Sequence, residues 1–204
     1  FIMKKTFGKL DLEGGARFDS RSITTKDAFI DTAVAFYPTL YTNASTATPP
    51  TVVKQFAGFS KTFSGATGSF GATYNFSNAF LIKANVARGF RAPSIAELSA
   101  NGPDPGSQIY HVGDANFKPE FNVQTDIGAF LNLPNVSASV EFFNNNIQNY
   151  IYQQQELNPD GSPVRNPAYP QYTVFTYTQS KARINGGEVT VDMHQVPWLH
   201  FENS

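Results

Sequence analysis

The stretch Leu10-Asp11-Leu12-Glu13-Gly14-Gly15-Ala16-Arg17-Phe18-Asp19 decides the fold. Its even positions carry Leu10, Leu12, Gly14, Ala16 and Phe18, and its odd positions carry Asp11, Glu13, Gly15, Arg17 and Asp19. Successive side chains of a strand point to opposite faces, so this is a strand with one apolar and one charged face. The pattern returns along the chain. Phe70, Ala72, Tyr74 and Phe76 alternate with polar or small residues, as do Phe80, Ile82, Ala84 and Val86. So do Val123, Ile127, Ala129 and Leu131, then Val136, Ala138, Val140 and Phe142, then Val189, Val191 and Met193. Helical periodicity nowhere competes with it.

These segments predict an all-β chain, one antiparallel up-and-down meander. Its strands are expected near residues 6–20, 68–77, 80–91, 120–133, 136–154, 172–194 and 198–204, about seven in all, several longer than the usual five or six residues. Ser77-Asn78, Pro134-Asn135 and Val196-Pro197 suit tight turns. Long connections near 21–64, 92–118 and 155–171 are rich in Pro, Gly, Asn, Ser and Thr. Tight turns on one rim and long loops on the other are the plan of an outer-membrane barrel.

Composition excludes several classes. Of 204 residues, 15% are charged and 14% aromatic, too little charge and too much ring for a disordered chain. The net charge of −1 gives no electrostatic reason to expect nucleic acid. Cys is 0, which removes disulfides, thiolate zinc sites and thiol catalysis. Met3-Lys4-Lys5-Thr6 imitates the start of a secretory signal, but Phe7 to Glu13 alternates in charge and supplies no apolar segment.

Alternation by itself fits two settings. In a soluble sandwich the apolar face is the core; in a membrane barrel it meets lipid and the polar face lines the interior. Strand length suits a tilted crossing of about 9–11 residues. Aromatics gather near strand ends, among them Tyr74, Phe76, Phe90, Tyr150, Tyr152 and Trp198, as interfacial girdles do.

Four segments go further. Val86-Ala87-Arg88-Gly89-Phe90-Arg91-Ala92-Pro93-Ser94-Ile95-Ala96-Glu97-Leu98 resembles the strand exit of TonB-dependent outer-membrane receptors. Gly113 to Glu120, ending Lys118-Pro119-Glu120, resembles the opening of the family's next strand. Gly128 and then Phe142 to Ile151 are similar to the paired strands that follow, and Asn185-Gly186-Gly187-Glu188-Val189 to a later one. Gly89, Phe90, Arg91, Pro93, Glu97, Leu98, Lys118, Pro119, Glu120, Gly128, Gly187 and Glu188 are therefore expected as fold determinants. Pro93 and Pro119 cannot donate to a ladder and mark where strands leave or enter the sheet.

The resemblance implies a receptor in the outer membrane of a Gram-negative-type cell that imports an iron–siderophore, haem, cobalamin or an oligosaccharide. It also implies an N-terminal plug domain inside the barrel and energy delivered by TonB. The chain carries no plug sequence and is expected to be a piece of the C-terminal part of the wall, unable to transport alone and inclined to self-associate through its edges. Outer-membrane lipid, the plug with the rest of the barrel, and TonB are the expected partners; no cofactor is expected. The alternative is a secreted all-β carbohydrate-binding or adhesion module.

No enzyme is expected. Asp11 with Glu13, and Glu188 with Asp192, could imitate a glycosidase pair, but a charged face supplies such pairs routinely. Gly65-Ala66-Thr67-Gly68 reads as a turn, and His111, His194 and His200 are too scattered for a metal. Tyr110 and His111, in the second long loop, are the candidate ligand-contacting residues, with His111 the candidate for haem. Tyr37, Tyr41, Tyr152, Tyr169 and Tyr172 could stack on a sugar or a siderophore ring.

Overall fold

The computed structural model describes residues 2–31, 40–41, 52–104, 106–196 and 199–203. Long strands dominate it: β1 (Ile2–Phe7), β2 (Leu10–Thr24), β6 (Ser60–Asn75), β7 (Phe80–Arg91), β10 (Glu120–Leu133), β11 (Val136–Gln155) and β13 (Tyr169–Val196). They are hydrogen-bonded in the order β1-β2-β6-β7-β10-β11-β13, all antiparallel, and β14 (Leu199–Asn203) pairs with β13. The meander is thus the one the alternation predicts.

Its details differ in instructive ways. The segment expected as one strand near 6–20 is a hairpin, because the chain reverses at Gly8-Lys9, where Gly8 adopts a φ of +60°. A side chain is rarely tolerated there, and glycine supplies the turn. The segments expected as long loops carry structure of their own. β3 (Ala28–Asp31), β4 (Leu40–Tyr41) and β5 (Val52–Phe56) form a separate three-stranded sheet. The second loop folds into α1 (Ile95–Ser99) and the hairpin of β8 (Asn101–Asp104) with β9 (Ile109–Val112). β9 then runs parallel to β13, the one parallel pair among the described strands. The third loop contributes β12 (Arg165–Asn166), which pairs with β13. Tyr37 and Trp198 lie outside the described residues.

Register aligns the two faces across the whole sheet. One transverse row reads Leu12, Ala72, Ala84, Ile127, Phe142 and Gly187; the next reads Leu10, Tyr74, Ile82, Ala129, Val140 and Val189. The apolar residues therefore merge into one band. On β10 the band runs from Val123 to Leu133, about 34 Å along the strand. A tilt of about 40° shortens that to about 26 Å, the height of the apolar band of outer-membrane barrels.

Nothing among the described residues covers this band. Phe70 is 54% exposed, Ile127 54% and Val189 58%. The buried cluster lies elsewhere, at the loop end, where Ile23, Phe63 and Ile151 pack with Ala92, Leu98 and Phe117. A two-layer soluble domain would bury its alternating face against a second sheet about 10 Å away. The sandwich alternative fails on that point.

Candidate functional site: the charged face and its loop cap

The odd-numbered residues of β2 and β7 and the even-numbered residues of β10 fall on the other face. Their polar groups bond to one another along and across strands. Asp126 accepts from Gln124 Nε2 at 2.8 Å and from Asn85 Nδ2 at 3.3 Å, while Asn122 Nδ2 donates to Asn145 Oδ1 at 3.0 Å. Lys83 Nζ sits 4.7 Å from the centroid of the Phe130 ring. Glu141 stands directly opposite Glu188 in the register, a like-charge pair that costs stability unless water or a partner group lies above it. Sequence spacing could not find this pair, because the two residues are 47 positions apart (188 − 141). Among the described residues no three His, Asp or Glu side chains converge as a metal site would require.

The family-signature residues build a clamp where β7 leaves the sheet. Arg91 reaches Glu120 on the adjacent strand, with Nη2 2.5 Å from Oε1 and Nε 2.7 Å from Oε2. Its Nη1 lies 3.0 Å from both oxygens of Glu97. Glu97 also accepts from the Ser94 backbone N–H, and Ser94 Oγ accepts from Glu97 N–H, a reciprocal capping box that starts α1. Pro93 is fully buried beside it, and Leu98 is 2% exposed in the core cluster. Glu120 accepts a further bond from the Ile151 N–H at 2.6 Å.

That bond sits just past a bulge. The β11–β13 register slips by one residue between Ile147 and Tyr150, where Asn149 has a φ of +56°. Asn149 Nδ2 donates to Pro119 O, and Gln179 Nε2 donates to the carbonyls of Lys118 and Asn149. Lys118 and Pro119 thus contribute backbone carbonyls, and the Lys118 side chain contributes none of these contacts. Burial pushes the Glu120 carboxyl up, but Arg91 and the Ile151 N–H outweigh it, so the group stays below its ordinary value. Arg91 is correspondingly raised, first by Glu120.

Close approach explains the signature glycines. A Cβ on Gly89 would collide with Asn122 Oδ1, and on Gly128 would meet the Phe130 ring at 2.8 Å. Gly187 lies under the Phe142 ring, its cross-strand partner. Phe90 packs its ring 5.5 Å from that of Phe121. Glu188 is exposed, 3.4 Å from Thr190 Oγ1.

Tyr110 and His111 are neighbours on β9 and make different contacts. Tyr110 Oη donates to Asn101 Oδ1 at 2.9 Å, and its ring stacks 6.1 Å from Tyr169. Burial, then Tyr169, raises the Tyr110 phenol. Tyr169 packs edge-on against Tyr172 at 6.1 Å, and its own hydroxyl is buried without a hydrogen-bond partner. His111 Nδ1 is 3.0 Å from Gln153 Nε2, which leaves Nε2 at 3.9 Å from Asp104 Oδ2, beyond hydrogen-bond length. The stacked tyrosines were legible as ring-rich loop composition; Gln153 and Asn101, which orient the pair, carried no sequence signal.

An antiparallel meander with an uncovered apolar band on one face and a bonded polar network on the other has the architecture of a transmembrane β-barrel wall. Residues 5–203 match the family model described as TonB dependent receptor-like, beta-barrel, and the chain belongs to that family. Its proteins are receptors and transporters rather than enzymes.

Solved structures share the fold. A double mutant of the Serratia marcescens hemophore receptor HasR, in complex with its hemophore HasA and heme, has a TM-score of 0.60 at 16% identity over 91% of this chain. The copper transporter OprC has 0.64 at 17% over 93%, and the ferric-catecholate import receptor Fiu from E. coli K12 has 0.56 at 18% over 94%. The chain spans 29%, 25% and 24% of those three chains. No curated protein matches the sequence.

Proposed function

We propose that this chain forms part of the barrel wall of an outer-membrane receptor that imports a scarce nutrient with energy drawn from TonB. The uncovered apolar band is the observation that carries this reading. Leu12, Phe70, Ile82 and Val123 then face acyl chains, and Asp11, Asn85 and Gln124 face a wet lumen and the plug within it. The nutrient classes are iron–siderophore, haem, cobalamin and oligosaccharide. The chain by itself moves none of them, because its open edge strand β1 must pair with further wall. In isolation that edge and the bare band drive self-association.

Cysteine labelling tests the orientation, and this chain contributes no cysteine of its own. In membranes holding the full receptor, Asn85→Cys and Gln124→Cys react with a charged maleimide. Phe70→Cys and Ile127→Cys react only after denaturation. The reverse pattern overturns the reading.

Within it, ligand contact is assigned to Tyr110 and His111, with His111 Nε2 the nitrogen available to an iron or an acceptor. A haem titration followed by absorbance should lose its spectral shift in His111→Ala. An unchanged titration removes His111 from the site.

A further inference from the structure

Three dipeptides of this chain place glycine after Asn or Asp: Asn101-Gly102, Asp160-Gly161 and Asn185-Gly186. In such a pair the glycine nitrogen can attack the carbonyl carbon of the preceding side chain, because no Cβ on the glycine hinders the approach. By residue type the two Asn sites lead, since an amide loses ammonia more readily than a carboxyl loses water. The tertiary structure inverts that ranking.

Both Asn sites lie within ladders. Asn185 pairs with Asn144 and Gly186 with Phe143, in the middle of the β11–β13 pairing. Asn101 pairs with Val112 and Gly102 with His111. The Asn101 side chain is held at both ends, with Nδ2 donating to Gln55 O at 2.5 Å and Oδ1 accepting from Tyr110 Oη at 2.9 Å. Attack at either site requires a sheet pairing to break first.

Asp160-Gly161 is restrained by its own turn. Residues 156–162 are exposed and lie beyond the last β11–β13 pair, Gln155 with Phe175. The Gly161 N–H donates to Asn158 O at 2.9 Å, closing a turn over Pro159 and Asp160, and the Asn158 N–H donates to Ser162 O at 2.8 Å. Gly161 has a φ of +83°, and a Cβ there would meet nothing within 4 Å. Asp160 Oδ1 accepts from the Ser162 N–H at 2.9 Å and from Ser162 Oγ at 2.7 Å, while Asn158 Nδ2 donates to Ser162 Oγ at 3.0 Å. Ser162, first through its hydroxyl, holds the carboxyl below its ordinary value of 3.8. These contacts turn the Asp160 side chain toward Ser162 and keep ionised a group that must be protonated to lose an oxygen.

We infer that Asp160 is a site of spontaneous conversion to isoaspartate in the folded receptor, with Ser162 the residue that sets its rate. When the turn opens locally, Gly161 N bonds to Asp160 Cγ, and the hydroxyl of the protonated carboxyl leaves with the amide proton as one water. Water then adds to the five-membered ring. Breaking the bond from Gly161 N to Cγ restores aspartate. Breaking the bond from Gly161 N to the Asp160 backbone carbon leaves a chain that runs through Cγ, one methylene longer. The reaction consumes no oxidant and no cofactor, and it is independent of what the barrel carries.

The test incubates full-length receptor in lipid nanodiscs at neutral pH and locates isoaspartate by mass spectrometry with electron-transfer fragmentation. The same receptor in denaturant gives a reference rate for each site. Folded wild type should accumulate isoaspartate at residue 160, while residues 101 and 185 stay unmodified until the chain is denatured. Ser162→Ala should raise the folded rate about tenfold, the worth of one hydrogen bond to a charged group expressed as a rate. It should leave the reference rate unchanged. Ser162→Thr keeps both donors and should keep the wild-type rate, and Gly161→Ala should slow the reaction in both states.

Modification of Asp160 only after denaturation overturns the inference. So does a Ser162→Ala rate equal to wild type in receptor with an unchanged unfolding midpoint. Conversion of Asn101 or Asn185 in the folded receptor as fast as that of Asp160 also overturns it, since the ladders would then protect nothing.

Discussion

Ile127→Arg should destabilise the folded wall by about 2–4 kcal/mol, the cost of a cation at the middle of the lipid face of a membrane barrel. Ile127 lies at the centre of the band on β10, between Val123 and Leu131, and is 54% exposed with no protein to shield the new charge. Asn85→Arg, on the opposite face beside Asp126, should cost little and gains a carboxylate partner. Denaturant unfolding of the full receptor in lipid vesicles measures both. Equal costs for the two substitutions would mean that the band is not in contact with lipid.

Glu120→Ala should cost about 2–3 kcal/mol, measured as local unfolding of the loop by hydrogen exchange. Breaking a buried ion pair costs about 3–5 kcal/mol, and the value is reduced because the Arg91 side chain is 44% exposed. The substitution also strips the Ile151 N–H of its acceptor. Glu120→Gln keeps an acceptor for that N–H and should recover part of the loss.

The pH dependence follows from the lowered pKa of Glu120. Its contribution is complete above the ordinary value of 4.5 and is lost as pH falls through the lower folded value. Loop protection should therefore decline below about pH 4.5 in the wild type and lose that dependence in Glu120→Ala. A wild-type loop indifferent to acid would show that the carboxylate is not what pins it.

Much of the wall was legible because period two survives in most of the long strands. Leu10 to Phe18, Phe80 to Val86 and Val136 to Phe142 each display the two faces locally, with no need of a partner strand. The β1–β2 hairpin was not legible. Met3, Lys4, Lys5 and Thr6 lack clean alternation, and Gly8-Lys9 does not announce a turn against a charged background. β8 was hidden for a related reason. Asn101-Gly102-Pro103-Asp104 has the composition of a turn, and it becomes an edge strand only because β9 offers it a ladder.

In the loop cap, chemistry was visible and geometry was not. Arg91, Glu97 and Glu120 stood out as signature residues, yet the clamp depends on the β7–β10 register that sets Arg91 opposite Glu120. The link to Ile151 depends further on a bulge at Asn149. Tyr110 and His111 were named from residue type, whereas Gln153 reaches His111 only after β9 has docked beside β13.

The sequence by itself determined most of the long strands, their alternating faces and the family signatures, since alternation and short signatures are properties of neighbouring residues. Tertiary structure alone decided which strands share a row. That put Arg88 level with Arg183, set Glu141 against Glu188, and left the apolar band bare. Cross-strand register is fixed by hydrogen bonds between residues tens of positions apart, and a one-residue slip would have exchanged every such partner.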